Sequence, residues 1–114
     1  MRPEDRHTME ERKRRLLEAG VPLEEVWAFG SRVRGDFDDE SDLDVLLVLR
    51  DRPAGLDDVP SRVGWEIGYA AGYVVSTFAY TPAELRGVPL RASPLLEAVR
   101  SEGMRFSVSS GTLA

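Results

Sequence analysis

The chain has 114 residues, of which 42% are hydrophobic and 31% are charged, a composition typical of one folded domain with a modest core rather than of a disordered chain. The formal net charge of −5 argues against non-specific nucleic-acid binding, which depends on basic residues that neutralise phosphates. The chain has no cysteine and one histidine, so disulfides, thiolate zinc sites and histidine-based catalysis are not expected. No apolar run approaches the roughly 20 residues that span a bilayer, and we expect a cytoplasmic protein without a membrane partner.

The N-terminal segment is predicted to form a helix at Thr8–Ala19, after a polar lead-in at residues 1–7. Thr8 is a good N-cap, and Gly20 ends the helix because glycine readily adopts the left-handed conformation found there. The basic run at residues 12–15 is interpreted as a solvated face of this helix, with contact to phosphate or to an acidic partner as the alternative.

Apolar periodicity and turn residues predict that strands and helices alternate along the rest of the chain. The predicted elements are a strand at Glu25–Phe29, a turn at Gly30-Ser31 where a short helix could start, a strand at Asp42–Leu49, a helix at Asp57–Gly72, a strand at Tyr73–Tyr80, a helix capped by Thr81, a helix from Ser93-Pro94 to Glu102, and a short strand at Met104–Val108. We expect these elements to form one domain at residues 1–108, and we expect residues 109–114 to be a disordered tail.

The most informative stretch of the chain runs from Gly30 to Asp44. Asp42 and Asp44 stand at the start of an apolar run that reads as a buried strand, and residues two apart on a strand point to the same side. Strands disfavour Asp, and a divalent ion gives a reason for the pair, because Mg²⁺ prefers one or two carboxylates completed by water and phosphate oxygens. Taken alone, the two acids fit equally well as solvent-facing residues of a half-exposed strand.

The residues between Gly30 and the acid pair suit a nucleotide triphosphate. Gly30 has no Cβ atom, so backbone can approach a ligand closely there, and Ser31 can add a hydroxyl donor at the start of a short helix. Arg32 and Arg34 could contact the phosphates as bidentate donors. The acids at residues 36–40 invite a calcium-loop interpretation, which fails because the glycine and the glutamate that such a loop requires are absent.

A strand, a Gly-Ser pair, ten further residues, Asp-x-Asp and a hydrophobic strand together resemble the minimal nucleotidyltransferases, a small branch of the DNA-polymerase-β-like superfamily. The segment at residues 93–103 is similar to this family as well. The resemblance implies an α/β (α+β) fold with a mixed β-sheet flanked by helices, and transfer of a nucleoside monophosphate, AMP from ATP, to an acceptor hydroxyl. It also implies that Gly30 and Ser31 hold the triphosphate and that Asp42 and Asp44 ligate Mg²⁺ (or Mn²⁺).

The chain departs from the family pattern at one position. Members usually carry a third carboxylate on a neighbouring strand, and counting back from Thr81 puts that position at Ser76. Glu66 could replace the missing acid only if its helix faced the site, which we do not expect. One metal ion held by Asp42, Asp44 and the triphosphate is compatible with the sequence, whereas a second metal that activates the acceptor is in question.

Two functions follow from the resemblance. The first is an active nucleotidyltransferase that uses ATP to modify a hydroxyl of a partner protein or small molecule, as the antitoxin of a pair with a small helical HEPN-type protein. The second is a catalytically weak or inactive module that binds NTP and Mg²⁺ and acts as an antitoxin or scaffold by binding its HEPN-type partner. A homo-oligomer is compatible with both. The aromatic group Trp65, Tyr69 and Tyr73 is expected in the core and is the candidate contact surface if it is exposed.

Overall fold

The computed structural model contains both helices and strands and describes residues 1–35, 42–52, 59–87 and 93–108. The elements are α1 (Pro3–Glu18), β1 (Leu23–Phe29), α2 (Ser31–Arg34), β2 (Leu43–Leu49), α3 (Val59–Ala71), β3 (Val75–Tyr80), α4 (Pro82–Gly87), α5 (Pro94–Glu102) and β4 (Met104–Phe106). The four strands form one mixed sheet in the order β3-β2-β1-β4. Strand β1 runs antiparallel to both β2 and β4, whereas β2 and β3 run parallel.

Strand β2 is buried on both faces of the sheet, which explains its unbroken apolar sequence. One face packs against α1 and α3 and is called the α1–α3 face; the opposite face packs against α4 and α5 and is called the α4–α5 face. Alternate residues of β2 divide between the two core clusters: Leu43, Val45, Leu47 and Leu49 lie on the α1–α3 face, and Leu46 and Val48 lie on the α4–α5 face. The alternation assigns Asp44 to the α4–α5 face.

Helix α1 begins at Pro3 rather than at Thr8. Proline suits the first turn because the N–H that it lacks would have no helical partner there, and the acids Glu4 and Asp5 interact favourably with the positive end of the helix dipole. Thr8 lies inside the helix, where its hydroxyl donates to the Glu4 carbonyl at 3.0 Å. The predicted polar lead-in at residues 1–7 was therefore wrong, and Asp5 is fully buried.

Arg12 is only 1% exposed, so the interpretation of residues 12–15 as a solvated face is wrong at this residue. Its Nη2 atom donates to the Pro60 carbonyl at 3.0 Å and contacts the Thr77 hydroxyl. Its Nε and Nη1 atoms have no hydrogen-bond partner among the described residues, and burial lowers the pKa of the guanidinium to about 10. Arg12 thereby joins α1 to α3 and β3 through buried polar contacts.

The predicted cap of α4 and the predicted start of α5 are confirmed. The Thr81 hydroxyl accepts from the Glu84 N–H at 3.2 Å while the Thr81 N–H donates to the Glu84 carboxylate at 2.9 Å, which is a capping box. Arg52 also donates to this carboxylate, and these bonds together lower the pKa of Glu84 to about 2. At the start of α5, Ser93 accepts from the Leu96 N–H at 3.3 Å.

The aromatic residues of α3 do not lie in the core, contrary to the prediction. Trp65 and Tyr69 are 68% and 79% exposed, and their rings stack with centroids 5.5 Å apart. Tyr73, just after the helix, is half-buried, and its hydroxyl donates to Asp5 at 3.0 Å. Trp65 and Tyr69 are therefore exposed, as the prediction of a contact surface requires. Tyr73 instead forms a hydrogen bond inside the protein.

Some predicted features lie outside the described residues. These are the acid-rich loop at residues 36–41, the first two positions of the helix predicted from Asp57, and the tail at residues 109–114. Within the described ranges, no helix is both long enough and apolar enough to cross a membrane.

Candidate nucleotide and metal site

Asp44 occupies the second position of β2 and is flanked by two strands. It pairs with Phe29 of the antiparallel strand β1 and with Ser76 of the parallel strand β3. Paired residues on neighbouring strands lie about 5 Å apart and project from the same face of the sheet. The structure therefore places Ser76 beside Asp44 in the sheet, with both side chains on the α4–α5 face, at the position where the family pattern predicts an acid.

Gly30 lies directly against the Asp44 side chain. It has φ +89° and ψ −164°, a conformation that is essentially restricted to glycine. A Cβ atom at this position would overlap Asp44 Oδ2 and would lie 3.2 Å from Asp44 Cγ. The sequence predicts that a ligand can approach the backbone closely at Gly30. In the structure, the group that lies against this backbone is the carboxylate of Asp44. Ser31 follows immediately as the first residue of α2.

The electrostatic environment of Asp44 disfavours its charged form. Burial raises the pKa of its carboxyl, and the neighbouring charge of Asp42 raises the pKa further, while the positive charge of Arg34 partly offsets both effects. Asp42 itself is exposed, just before β2 begins. A cation placed between the two carboxylates would relieve their repulsion.

The donor atoms fit a single hard divalent cation. Asp42 and Asp44 supply two carboxylates, which is the number that Mg²⁺ commonly takes from a protein before water and phosphate oxygens complete its octahedron. In the part of the chain that the structure describes, no group of three or more His, Cys, Asp or Glu side chains could hold a metal ion. Glu66 does not supply a third acid, because α3 packs on the opposite face of the sheet and its carboxylate forms an ion pair with Arg15.

The two arginines predicted to contact a triphosphate have different environments. Arg32 is 2% exposed, and its Nη1 atom donates to both carboxylate oxygens of Asp5 at 3.0 and 3.1 Å. This burial does not fit a phosphate contact, so the expectation for Arg32 is corrected to a structural role. Arg34 is exposed, lies near enough to Asp44 to influence its pKa, and forms an ion pair with Glu102 at 2.9 Å. A triphosphate would compete with Glu102 for Arg34.

The sequence did not predict two neighbours of the site, namely Asp5, which forms an ion pair with Arg32, and Glu102, which forms an ion pair with Arg34. Asp5 could have been found from the helical spacing of Asp5, Met9, Arg12 and Leu16, which form the buried stripe of α1. Two charged residues in that stripe masked the apolar pattern. No sequence signal marks Glu102, because α5 approaches α2 only in the folded chain.

Comparison with known proteins agrees with this architecture. The family model for the nucleotidyltransferase domain matches residues 9–80, and the chain belongs to this family. A mutant of the toxin–antitoxin complex MntA–HpeT superimposes with a TM-score of 0.59 at 19% identity, covering 90% of this chain and 75% of that chain. A toxin–antitoxin structure with AMP-PNP also gives a TM-score of 0.59 at 19% identity, covering 91% of this chain and 78% of that chain. The mixed sheet flanked by helices is thus the nucleotidyltransferase fold.

A short stretch of the chain is also similar to a protein of Methanocaldococcus jannaschii named "Putative protein adenylyltransferase". The two are 52% identical over 31 residues, which make up 27% of this chain. The matched stretch spans 31% of the length of that relative. The similarity therefore concerns a segment and not the whole of either protein.

We predict that Gly30→Ala destabilises the protein more than Gly20→Ala. Both glycines have positive φ, and Gly20 has open space around it, so Gly20→Ala should cost only about 1–2 kcal/mol for the backbone conformation. Gly30→Ala adds overlap with Asp44 and should cost about 2–4 kcal/mol in urea unfolding. In an Asp44→Ala background, the cost of Gly30→Ala should fall by about 1 kcal/mol or more. An unchanged cost in that background would show that the contact with Asp44 is unimportant.

We predict that Asp44→Asn raises the thermal midpoint at pH 7 in metal-free buffer by a few degrees at most. The raised pKa of Asp44 means that the folded chain binds its proton more tightly than the unfolded chain does, so the ionised carboxylate lowers stability at neutral pH. The difference between variant and wild type should shrink as the pH falls, and it should vanish below the unfolded-state pKa of about 3.9, where the carboxyl becomes protonated in both states. Asp51→Asn, at an exposed position, is the control, and a lower midpoint for Asp44→Asn at pH 7 would contradict the prediction.

Proposed function

We propose that this protein is a nucleotidyltransferase that transfers AMP from ATP to a hydroxyl of a partner protein or small molecule. The observation that carries the proposal is the arrangement of Asp44, whose carboxylate lies on the bare backbone of Gly30 and beside Asp42. Membership of the nucleotidyltransferase domain family supports the reaction class. The name of the Methanocaldococcus jannaschii relative supports adenylyl transfer to protein, and the AMP-PNP in one structural neighbour supports an adenine nucleotide.

In the proposed reaction, the acceptor hydroxyl attacks the α-phosphorus of ATP, a new oxygen–phosphorus bond forms, and pyrophosphate leaves as the old bond breaks. Ser31 and the backbone at Gly30 would hold the triphosphate, and Arg34 would exchange Glu102 for a phosphate oxygen. Asp42 and Asp44 would hold Mg²⁺ (or Mn²⁺), which supplies neutralisation of the charge that develops on the phosphates. The proton of the acceptor passes to water, because the Ser76 hydroxyl is not a base at neutral pH.

The setting that we propose is a toxin–antitoxin pair with a small helical partner of the HEPN type. Two structural neighbours are toxin–antitoxin complexes, which supports this setting at the level of the fold. Trp65 and Tyr69 supply an exposed, stacked aromatic pair on the outer side of α3, a composition that is common in protein interfaces. We propose this pair as the candidate contact surface for the partner.

A second function has one specific observation in its favour. Ser76 pairs with Asp44 where a third acid is expected, and no third acid completes a metal cluster within the described residues. A chain that binds NTP and one Mg²⁺ but turns over slowly or not at all could still act as an antitoxin or scaffold by binding its partner. The two functions differ in whether AMP becomes covalently attached to an acceptor.

We expect ATP labelled at the α-phosphate, with Mg²⁺ or Mn²⁺, to label a HEPN-type protein encoded beside this chain. Asp42→Ala and Asp44→Ala should each reduce the rate roughly a hundredfold, because each removes charge that holds the metal at the phosphates. Asp51→Ala, at an exposed position outside the site, is the matched control. Tight binding of the partner without transfer of label by the wild type would establish the second function instead.

We predict that Ser76→Asp increases Mg²⁺ affinity or the transfer rate by about tenfold, because it adds a third carboxylate beside Asp44. Calorimetric titration with Mg²⁺ and the labelling assay measure the two effects separately. Ser107→Asp, outside the β2–β3 pair, controls for the added negative charge. If Ser76→Asp changes neither quantity, the side chain at this position does not reach the metal.

A further inference from the structure

Two buried side chains, Asp5 and Arg32, meet the half-buried side chain of Tyr73. The Asp5 carboxylate accepts from Arg32 Nη1 through both oxygens, at 3.0 and 3.1 Å, and also accepts from the Tyr73 hydroxyl at 3.0 Å. The Arg32 guanidinium lies over the Tyr73 ring at 3.7 Å from its centroid. Each of the three residues contacts the other two, and we call this group the Asp5–Arg32–Tyr73 triad.

The Asp5–Arg32 pair of the triad has few alternative geometries because it is buried away from water. Asp5 is fully buried and Arg32 is 2% exposed, so water cannot replace either partner if the ion pair separates. Burial raises the pKa of Tyr73, and the nearby Asp5 raises it further, which keeps the phenol protonated and able to donate. A charge-assisted hydrogen bond together with a cation–π contact fixes the distance and the direction of the Arg32 side chain.

The three members come from three separate segments of the chain. Asp5 belongs to the first turn of α1, Arg32 to α2, and Tyr73 to the turn that leads into β3. Arg32 directly follows Ser31, and Tyr73 precedes Ser76 by three positions. The Leu43 N–H donates to the Val74 carbonyl at 2.9 Å, so the turn after α3 is also joined to the start of β2.

We propose that Asp5, Arg32 and Tyr73 are positioning residues that hold α2 and the start of β3 against β2, so that Gly30, Ser31, Asp44 and Ser76 keep one arrangement. The effect of the triad on nucleotide affinity rests on the proposed function. The effect of the triad on the order of α2 does not rest on that function, because it can be measured in the protein without nucleotide. Helix α2 has four residues, too few to be stable without tertiary contacts.

The test compares Tyr73→Phe with Tyr69→Phe. Both variants remove one phenolic hydroxyl, but the Tyr69 ring is 79% exposed and stacks on Trp65, away from the triad. Tyr73→Phe keeps the ring under Arg32 and loses the hydrogen bonds of the hydroxyl to Asp5 at 3.0 Å and to Thr8 at 3.5 Å, so the chain should still fold. Asp5→Asn, which keeps the shape of the side chain and removes its charge, provides a second and larger change.

The first readout is amide hydrogen exchange in the ligand-free protein. The Val33 and Arg34 N–H groups both donate to the Gly30 carbonyl, and the Gly35 N–H donates to the Ser31 carbonyl, so these three amides report on α2. Tyr73→Phe should speed their exchange about fivefold, the factor expected for one lost hydrogen bond, and Tyr69→Phe should leave it unchanged. Equal rates in the two variants, or an acceleration spread evenly over the amides of β1 and β2, would overturn the proposal.

The second readout is the affinity for Mg²⁺ with AMP-PNP, a nucleotide that resists turnover. If the wild type binds, Tyr73→Phe should weaken binding about threefold to tenfold and Asp5→Asn should weaken it more, with Tyr69→Phe equal to wild type. Unchanged affinity in Tyr73→Phe would overturn the connection from the triad to the nucleotide site. If the wild type does not bind AMP-PNP, the proposed function fails, and hydrogen exchange alone decides whether the triad positions α2.

Discussion

The candidate site depends on the carboxylate of Asp44, which is held at the start of a strand that is buried on both faces. A shift of strand β2 by one residue would move every side chain to the opposite face and would carry Asp44 into the core on the α1–α3 face, so the position of Asp44 is fixed by the packing of the whole sheet. Phe29 and Ser76 flank Asp44 in the neighbouring strands, and Gly30 leaves room for its carboxylate. The core therefore places the Asp44 carboxylate with a precision that a surface loop would not provide.

The same placement works against stability. Burial and the charge of Asp42 both raise the pKa of Asp44, so the folded protein disfavours the charged form of this carboxyl. Such strain is common at functional sites, where groups are arranged for a ligand rather than for the free protein. At a site for a divalent cation, this repulsion would be relieved when the cation binds, which links the electrostatics of the two carboxylates to the proposed chemistry.

Three arginines around this sheet have different environments, and the residue type alone does not predict which arginine is buried and which is exposed. Arg12 is buried between α1, α3 and β3 and donates to a backbone carbonyl and a hydroxyl. Arg32 is buried in an ion pair with Asp5, and Arg34, only two residues later, is exposed beside Asp44. In α2, residues two apart point in different directions, so Arg32 is buried in contact with Asp5 while Arg34 is exposed in an ion pair with Glu102.

The sequence alone determined the order and type of most elements, because apolar periodicity, capping residues and turn glycines act over a few residues. It also predicted that Asp42 and Asp44 share a face, since spacing along a strand decides which side chains do so, and the family pattern pointed to Ser76, which the structure pairs with Asp44. It failed at the start of α1 and at Arg12, Arg32, Trp65 and Tyr69, where burial depends on which surfaces meet. Only the tertiary structure decided that Asp5 pairs with Arg32 and that Asp44 rests on Gly30, because these contacts join segments distant in the chain, and local pattern carries no information about such distances.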